Sequence, residues 1–416
     1  MNNIFVCILL LCGFIPGYGQ GGFQLKKNKT KSRIPFELVN NLPVIKVEIN
    51  GTDFSFILDT GVKTSLLFSS ESVDDFFLSN TVPVQIHGLG SDAPINALKS
   101  RNNTVVVGKA IDVNHELYLI FENALNFSPR MGVPINGILG SSFFESFVVE
   151  INYISKMITL YDPDKYTFSN CKKCKNLPLN FENGKPYINL TASSGKSNKE
   201  VTLLIDSGSS DVLWLFDEDD FIKEKPKNYF HDFLGLGLSG SVNGKRARIP
   251  ELRLGEFILK NVNTSFPEQV AITKARLYEE RDGSVGGGIL SRFKVIFDYR
   301  NKVVRFKKNR RFKNPFHYNM AGITIEHSGM AWLIDENQFT LVPRFIVVDV
   351  REGSPAYHAG LQKEDEVLTI NGKPNYNYKL YEIINLFSSE RGKKITMKIK
   401  RGNVSKKIKF YLKNVF

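Results

Sequence analysis

Cysteine and tryptophan are scarce in this 416-residue chain, which has four Cys and two Trp beside 32 Phe and 15 Tyr. Cys7 and Cys12 lie in the apolar start, which leaves Cys171 and Cys174 as a Cys-Lys-Lys-Cys pair. Zinc takes about four ligands, and no second Cys pair or close His pair accompanies this one, so we expect no metal. Nothing in the sequence indicates a cofactor. For the pair we predict a small-loop disulfide in an oxidising compartment, with free thiols as the alternative.

Long apolar runs are also lacking. Residues 4–15 are apolar but too short to span a bilayer comfortably, and no other stretch reaches about 18 apolar residues. Small residues follow at the positions that a signal peptidase reads, so residues 1–19 are predicted to be a secretory signal. The mature protein is then exported, to the periplasm or outside the cell, with no stable membrane anchor. Residues 20–36 are polar and basic and are predicted to form a flexible leader.

The charge is unbalanced but not concentrated. The formal net charge is +13, and the densest basic cluster is Lys-Lys-Asn-Arg-Arg-Phe-Lys at residues 307–313. No nucleic-acid-binding motif accompanies this cluster, so a solvated junction between domains is the favoured interpretation over contact with nucleic acid or an anionic membrane. We therefore expect no nucleic-acid partner.

An apolar, strand-like run that ends in a carboxylate occurs twice. Residues 54–61 are Phe-Ser-Phe-Ile-Leu-Asp-Thr-Gly, and residues 202–208 are Thr-Leu-Leu-Ile-Asp-Ser-Gly. Burying an Asp at the end of such a run is costly unless something pairs with it, so Asp59 and Asp206 suit a carboxylate dyad that shares a proton. Either copy alone could be a strand that ends in a turn, because both tripeptides are common in turns.

The spacing of later landmarks relates the two copies. Glycines follow each Asp at equal distances, 29 residues on at Gly88 and Gly235, and 49 residues on at Gly108 and Gly255. Residues 136–140 (Asn-Gly-Ile-Leu-Gly) are then echoed by residues 287–291 (Gly-Gly-Ile-Leu-Ser), and residues 147–153 by residues 293–299. Landmarks that keep their order over two copies of about 130 residues indicate a duplicated domain.

These residues resemble the retropepsin-like aspartic peptidases, with both halves fused in a single chain, over roughly residues 37–310. The resemblance implies an all-β acid-protease-like double barrel with pseudo-twofold symmetry. Lobe 1 would span residues 37–165, a linker with the two Cys residues 166–180, and lobe 2 residues 181–312. Ser291 stands where the first copy has Gly140, so we expect looser packing at that point of lobe 2.

The resemblance assigns catalytic roles to six residues: Asp59, Thr60, Gly61, Asp206, Ser207 and Gly208. Two carboxyl groups this close cannot both ionise cheaply, so the pair would hold one proton. The ionised partner would deprotonate a water that attacks a peptide carbonyl, and the protonated partner would donate to the carbonyl oxygen. The Thr and Ser hydroxyls would brace the two loops, and the glycines would let backbone amides approach the carboxylates. The sequence assigns neither carboxyl as the acid.

Glycine-rich tips follow each catalytic motif. The alternating residues around Gly88 predict a hairpin, and in the resembled family a glycine-tipped flap closes over the substrate. The resemblance therefore implies substrate-binding roles for Gly88, Leu89 and Gly90 in lobe 1 and for Gly235, Leu236 and Gly237 in lobe 2. A plain exposed hairpin tip is the alternative for both.

The composition changes after residue 315. Residues 353–361 (Gly-Ser-Pro-Ala-Tyr-His-Ala-Gly-Leu) predict a short helix that Ser354 caps and Gly360 ends, and residues 378–387 predict an amphipathic helix. This pattern resembles a bacterial PDZ domain of α+β fold over residues 322–416. Such domains bind a C-terminal peptide against a sheet edge. We place the peptide groove near residues 341–345.

Together these features predict an exported aspartic endopeptidase that acts on peptides or unfolded proteins. A serine peptidase is disfavoured because Gly-x-Ser-x-Gly is absent and the six His residues lie in no nucleophile motif. A glycosidase could use two carboxylates but would not place them at one position of an internal repeat. The remaining alternative is a catalytically inactive, exported peptide-binding scaffold that acts through its PDZ domain.

Overall fold

The computed structural model describes residues 22–26, 29–68, 78, 80–90, 94–121, 126–217, 229–335 and 338–415. The predicted signal peptide, residues 1–19, lies outside the described residues. Strands account for 54% of the described residues and helices for 9%, and the predicted fold class is confirmed. None of the described helices is long and apolar enough to cross a membrane.

Lobe 1 is a mixed sheet with two short helices at its edge. Its elements are β1 (Gln24–Leu25), β2 (Lys31–Pro35), β3 (Glu37–Val39), β4 (Leu42–Ile49), β5 (Thr52–Leu58), β6 (Ser65–Phe68), β7 (Thr81–Ile86), β8 (Ile95–Val107), β9 (Ala110–Ile120), α1 (Ser128–Met131), β10 (Gly137–Leu139), α2 (Ser142–Glu145), β11 (Val148–Asn152) and β12 (Met157–Tyr161). The strand order is β1-β9-β6-β10-β5-β4-β8-β7, with β3 beside β4. The sheet therefore places β5, the strand that leads to Asp59, at its centre.

Lobe 2 repeats this plan. Its elements are β13 (Cys174–Pro178), β14 (Asn180–Glu182), β15 (Lys185–Ser193), β16 (Asn198–Ile205), β17 (Leu213–Leu215), β18 (Phe230–Gly237), β19 (Gly240–Leu254), β20 (Phe257–Pro267), α3 (Gln269–Ile272), β21 (Gly283–Val285), α4 (Gly287–Leu290), β22 (Phe293–Asp298) and β23 (Val303–Lys308), with a 3₁₀ turn at Ala275–Leu277. Parallel pairing of β16 with β21 matches that of β5 with β10. Antiparallel pairing of β17 with β21 matches that of β6 with β10. The duplication is therefore present in the topology.

A third sheet joins the lobes, in the order β13-β23-β22-β11-β12-β2. Its central pair, β11 and β22, comes from equivalent positions of the two copies and runs antiparallel, with Glu150 opposite Ile296. The pseudo-twofold axis thus passes between these strands. Each lobe contributes three strands, so the two halves share one continuous layer beneath the cleft.

The prediction that residues 20–36 form a flexible leader is wrong, because two paired strands lie within them. Within residues 20–36, β2 pairs with β12, and β1 pairs with β9 of lobe 1. In β2 the basic side chains face solvent while Ser32 and Ile34 are buried, the alternation of an edge strand. Its counterpart at the opposite edge is β13, which begins at Cys174, and Cys174 forms the predicted disulfide with Cys171. The leader and the linker are therefore equivalent strands of the two copies.

The C-terminal domain is a separate small sheet with two helices. Its elements are β24 (Ile323–Asp335), β25 (Gln338–Val350), α5 (Pro355–His358), β26 (Glu366–Ile370), β27 (Lys373–Pro374), α6 (Leu380–Phe387), β28 (Lys394–Arg401) and β29 (Val404–Tyr411), with a 3₁₀ turn at Asn375–Asn377. As predicted, the Ser354 hydroxyl caps α5 by accepting from the Tyr357 N–H. The buried Asp365 carboxylate accepts two hydrogen bonds from the Arg401 guanidinium, which ties β28 to the loop before β26.

The predicted position of the peptide groove, residues 341–345, is wrong. These residues lie in β25, which pairs with β24 along its length and also with β26 at Phe345. β25 is an inner strand of the sheet, whose two edges are β24 and β29. Of these edges, β24 is the one that packs beside α6 and is available to a peptide there.

Candidate active site

The two carboxylates occupy equivalent positions, each directly after the corresponding strand of its lobe, β5 or β16. Each follows a central strand and accepts a hydrogen bond from the glycine N–H of its own tripeptide, at 2.6 Å from Gly61 N to Asp59 Oδ1 and 3.0 Å from Gly208 N to Asp206 Oδ1. The Asp59 side chain is buried and is hydrogen-bonded to that of Asp206. The structure thus brings the two predicted carboxyl groups into direct contact.

Thr60 and Ser207 lock the two loops together by four reciprocal hydrogen bonds. The Thr60 hydroxyl donates to the Ile205 carbonyl at 2.6 Å and accepts from the Ser207 N–H at 3.0 Å. The Ser207 hydroxyl donates to the Leu58 carbonyl at 2.8 Å and accepts from the Thr60 N–H at 3.1 Å. Both side chains are fully buried, so these groups have no water to replace a lost partner.

We expect Thr60→Val to lower the free energy of unfolding by about 2–6 kcal/mol, because it leaves the Ser207 N–H and the Ile205 carbonyl buried without a partner at about 1–3 kcal/mol each. Urea unfolding followed by circular dichroism measures this. Thr60→Ser keeps the hydroxyl and is the matched control. A Thr60→Val protein as stable as the wild type would show that the interlocking bonds do not hold the lobes together.

Burial dominates the electrostatics of the dyad. It raises the pKa of Asp59 well above its usual range, and the neighbouring Asp206 charge raises it further. Burial also raises the pKa of Asp206, but the Arg281 guanidinium and the hydrogen bond from Asp59 oppose that rise. The two carboxyl groups therefore titrate as a pair that shares one proton, and neither ionises as readily as an isolated carboxyl group.

The predicted glycine-rich tips meet each other across the cleft. The β7–β8 hairpin carries Gly88 and Leu89, and the β18–β19 hairpin carries Leu238 and Ser239 at its turn. The Gly88 N–H donates to the Ser239 hydroxyl at 3.0 Å, and the Ser239 N–H donates to the Leu89 carbonyl at 2.9 Å. A side chain on Gly237 would overlap the Leu89 carbonyl oxygen. The two tips thus interlock.

The sequence interpretation placed the second tip slightly too early. Gly235 lies at a bulge within β18, opposite Val242, rather than at the turn. The turn itself is Leu238-Ser239, followed by Gly240 with a φ of +97°. Leu238 and Ser239 are therefore site residues that the repeat missed, because the equal spacing from each Asp marked Gly235.

A cavity of about 600 Å³ lies between the dyad and the hairpin tips. Its wall includes both carboxylates and apolar and cationic side chains of both lobes. It also includes Ile323, Thr324 and Ile325 of β24 and Ile384 of α6, so the edge strand of the C-terminal domain borders the same space. Arg130 of α1 pairs with Glu326 of β24 at 2.7 Å and holds this domain against lobe 1.

The looser packing expected at Ser291 of lobe 2 is not found, because the strand register aligns a different residue with Gly140. Val285 pairs with Ile205 as Leu139 pairs with Leu58, so Gly286, not Ser291, is the counterpart of Gly140. A side chain on either glycine would collide with a backbone carbonyl, of Lys63 or of Asp211. Ser291 instead follows α4, as Ser146 follows α2. The loop of lobe 2 is therefore as closely packed as that of lobe 1.

Comparison with protein families agrees with this architecture. Residues 45–143, which contain the first catalytic motif, match the family model described as aspartyl protease. Residues 346–401 match the model described as PDZ domain. The chain contains an aspartyl protease domain and a C-terminal PDZ domain. The resemblance to both families is thus confirmed. No curated protein matches the chain.

Proposed function

We propose that this protein is an aspartic endopeptidase in which Asp59 and Asp206 activate a water molecule for peptide hydrolysis. The observation that carries the proposal is the hydrogen-bonded carboxyl pair, delivered by equivalent loops of two lobes to the floor of a cavity that two hairpin tips cover. A pair of titratable groups with raised pKa values inside a cleft is typical of a catalytic site. The aspartyl protease domain supplies the reaction class.

We propose that Asp59 holds the shared proton and that Asp206 is ionised, and the reaction follows from this assignment. The Asp206 carboxylate accepts a proton from a bound water, whose oxygen attacks the carbonyl carbon of the substrate. As negative charge develops on the carbonyl oxygen, Asp59 donates its proton there, which gives a neutral tetrahedral diol. The proton now on Asp206 then passes to the leaving amine, the carbon–nitrogen bond breaks, and Asp59 recovers a proton from the collapsing diol.

The PDZ domain supports binding of peptides, and we propose that it presents them to this site. The strand that borders the cavity, β24, is a free edge of the PDZ sheet and can accept an extended peptide by backbone pairing. A substrate seated there would extend toward the dyad. We also propose that the protein is exported, as the apolar start of the chain indicates and the Cys171–Cys174 disulfide supports.

The test is hydrolysis of denatured casein between about pH 3 and 7, with and without pepstatin and with a metal chelator and a serine-peptidase inhibitor as controls. We expect cleavage that neither control reagent blocks. Because burial raises the pKa of Asp59, the dyad keeps its proton, and the enzyme its activity, above the pH at which an ordinary carboxyl is fully ionised. A folded wild-type protein that is inactive throughout this range would favour the inactive peptide-binding scaffold.

A further inference from the structure

The two halves of the dyad site differ in charge at equivalent positions. Ile57 and Leu204 each lie two residues before the Asp of their lobe. Ile57 pairs with Val44 and Leu204 pairs with Tyr187, so Val44 and Tyr187 are equivalent. Two residues earlier on the same strands, Leu42 of lobe 1 is therefore equivalent to Lys185 of lobe 2. Both line the cavity. A duplication that conserves the dyad thus places an apolar side chain on one side of it and an ammonium group on the other.

A second pair of equivalent positions repeats this difference. Gly137 pairs with Phe56 as Gly283 pairs with Leu203, which makes Ile135 of lobe 1 equivalent to Arg281 of lobe 2. Ile135 is buried in the apolar core of lobe 1. Arg281 is also buried, 6% exposed, and it lines the cavity. Two aliphatic side chains of lobe 1 therefore correspond to two cations of lobe 2 that line the cavity.

The two cations are held differently. The Arg281 guanidinium donates to the Ser284 hydroxyl at 2.7 Å and to the Gly283 carbonyl at 3.2 Å, and it lies over the Phe216 ring. It is therefore fixed in place. Lys185 is half-buried and forms no hydrogen bond or ion pair with any residue that the structure describes. Its ammonium group is thus available to a ligand in the cavity.

The charges around the dyad do not balance. With one shared proton the dyad carries a single negative charge, whereas Lys185 and Arg281 carry two positive charges. Of the two cations that lobe 1 adds to the wall, Lys63 is exposed to solvent and Arg130 is paired with Glu326. Asp211 also lines the cavity, but the buried Arg246 guanidinium neutralises it at 3.0 Å. Burial and the Arg281 charge lower the pKa of Lys185, as expected for a cation that lacks a full counter-charge. One further negative charge would complete the site.

We propose that Lys185, beside the fixed Arg281, forms a subsite for an acidic substrate side chain, Asp or Glu, on the lobe 2 side of the scissile bond. The equivalent subsite of lobe 1, which contains Leu42, takes an apolar side chain. This inference rests on the proposed peptidase function and names its substrate class. A carboxylate forms charge-assisted hydrogen bonds with the ammonium group, whereas an amide leaves that charge uncompensated and a basic side chain is repelled.

The test uses a matched pair of peptides that differ only in Glu or Gln next to an apolar residue at the scissile bond. The wild type is expected to favour the Glu peptide in kcat/KM by about tenfold to a hundredfold, the range for one hydrogen bond to a charged group. Lys185→Met is expected to bring this ratio close to one, and Lys185→Glu to favour a Lys peptide. Lys109→Met is the control, because Lys109 is an exposed cation of lobe 1 that does not line the cavity, and its ratio should match the wild type.

Binding separates failure of this inference from failure of the proposed function. Reduced-amide versions of both peptides cannot be cleaved, and their affinities are measured by isothermal titration calorimetry. A Glu preference in binding that Lys185→Met removes supports the subsite even if no peptide is hydrolysed, in which case the peptidase proposal alone fails. Equal binding of the Glu and Gln peptides by the wild type, or a preference unchanged in Lys185→Met, would overturn the inference.

Discussion

Asp59→Asn and Asp206→Asn are each expected to lower kcat/KM for peptide hydrolysis by about a thousandfold or more, because each removes one of the two proton transfers. Asp206→Asn lacks the base that activates water, and Asp59→Asn lacks the acid that protonates the carbonyl oxygen. Since the two groups act as one unit, the double variant should be hardly worse than either single variant. Hydrolysis of a quenched fluorescent peptide measures all three.

The stability of the same variants shows that the loss is not caused by unfolding. Burial raises the pKa of Asp59 above its usual 3.8, so between that value and the folded-state pKa the native state binds more protons than the unfolded state. Wild-type stability therefore falls as the pH rises through this interval, by about 1.4 kcal/mol for each unit of the difference. Asp59→Asn does not ionise and should be more stable than the wild type at neutral pH, with the advantage shrinking as the pH falls from the folded-state pKa to 3.8.

Urea unfolding at pH 7 and at about pH 3 measures this difference. Asp53→Asn is the matched control, because Asp53 is an exposed carboxylate at the start of the same strand, β5. An Asp59→Asn protein that is inactive and also less stable than the wild type at neutral pH would contradict the proposed origin of the effect. A variant that retains activity would contradict the dyad itself.

The repeat in the sequence contained most of the information about the site. A fixed distance from each Asp marked the turn glycines Gly108 and Gly255, and both adopt positive φ values of +60° and +55°. This worked because a duplicated strand order preserves the distance between a buried strand and the next turn. The four hydrogen bonds of Thr60 and Ser207 also involve residues that the resemblance had singled out.

The failures arise where pairing partners are distant in sequence. Residues 31–35 look like a basic leader because only Ile34 is a large apolar residue, and their partner β12 begins more than a hundred residues later. The Ile-Leu dipeptide at 289–290 resembles residues 138–139, but strand register shows that Ser284-Val285 is the true counterpart. In this segment the strand register identified the equivalent residues, whereas sequence similarity aligned the wrong ones.

Lys185 and Arg281 carried no signal in the sequence. Neither belongs to a motif, and a Lys after a Gly in a hairpin normally suggests a solvated turn. Only the sheet topology brings them near the dyad. Lys185 begins β15 and Arg281 precedes β21, and these strands flank β16, which leads to Asp206, on opposite sides. Once the register is known, comparison of each cation with its aliphatic counterpart in lobe 1 makes the difference visible.

Gly208→Ala is expected to lower kcat/KM by about a hundredfold or more, the cost of displacing reacting groups by roughly 1 Å. A methyl group on Gly208 would overlap the Asp59 carboxylate, so the two carboxyl groups would have to move apart. The same change is expected to lower the free energy of unfolding by about 1–3 kcal/mol, as for overpacking of a buried site.

The pseudo-twofold axis supplies the matched control. At the equivalent position, a methyl group on Gly61 would lie 2.9 Å from Asp206 Cγ, a milder collision that a small shift of the side chain relieves. Gly61→Ala should therefore lose less activity, about tenfold, which makes the ratio between the two variants the measured quantity. Because a methyl group on Gly208 would lie closer than this to Asp59 Oδ2, Gly208→Ala is the more damaging change. Equal activities of the two variants would show that the carboxyl groups are not asymmetrically enclosed.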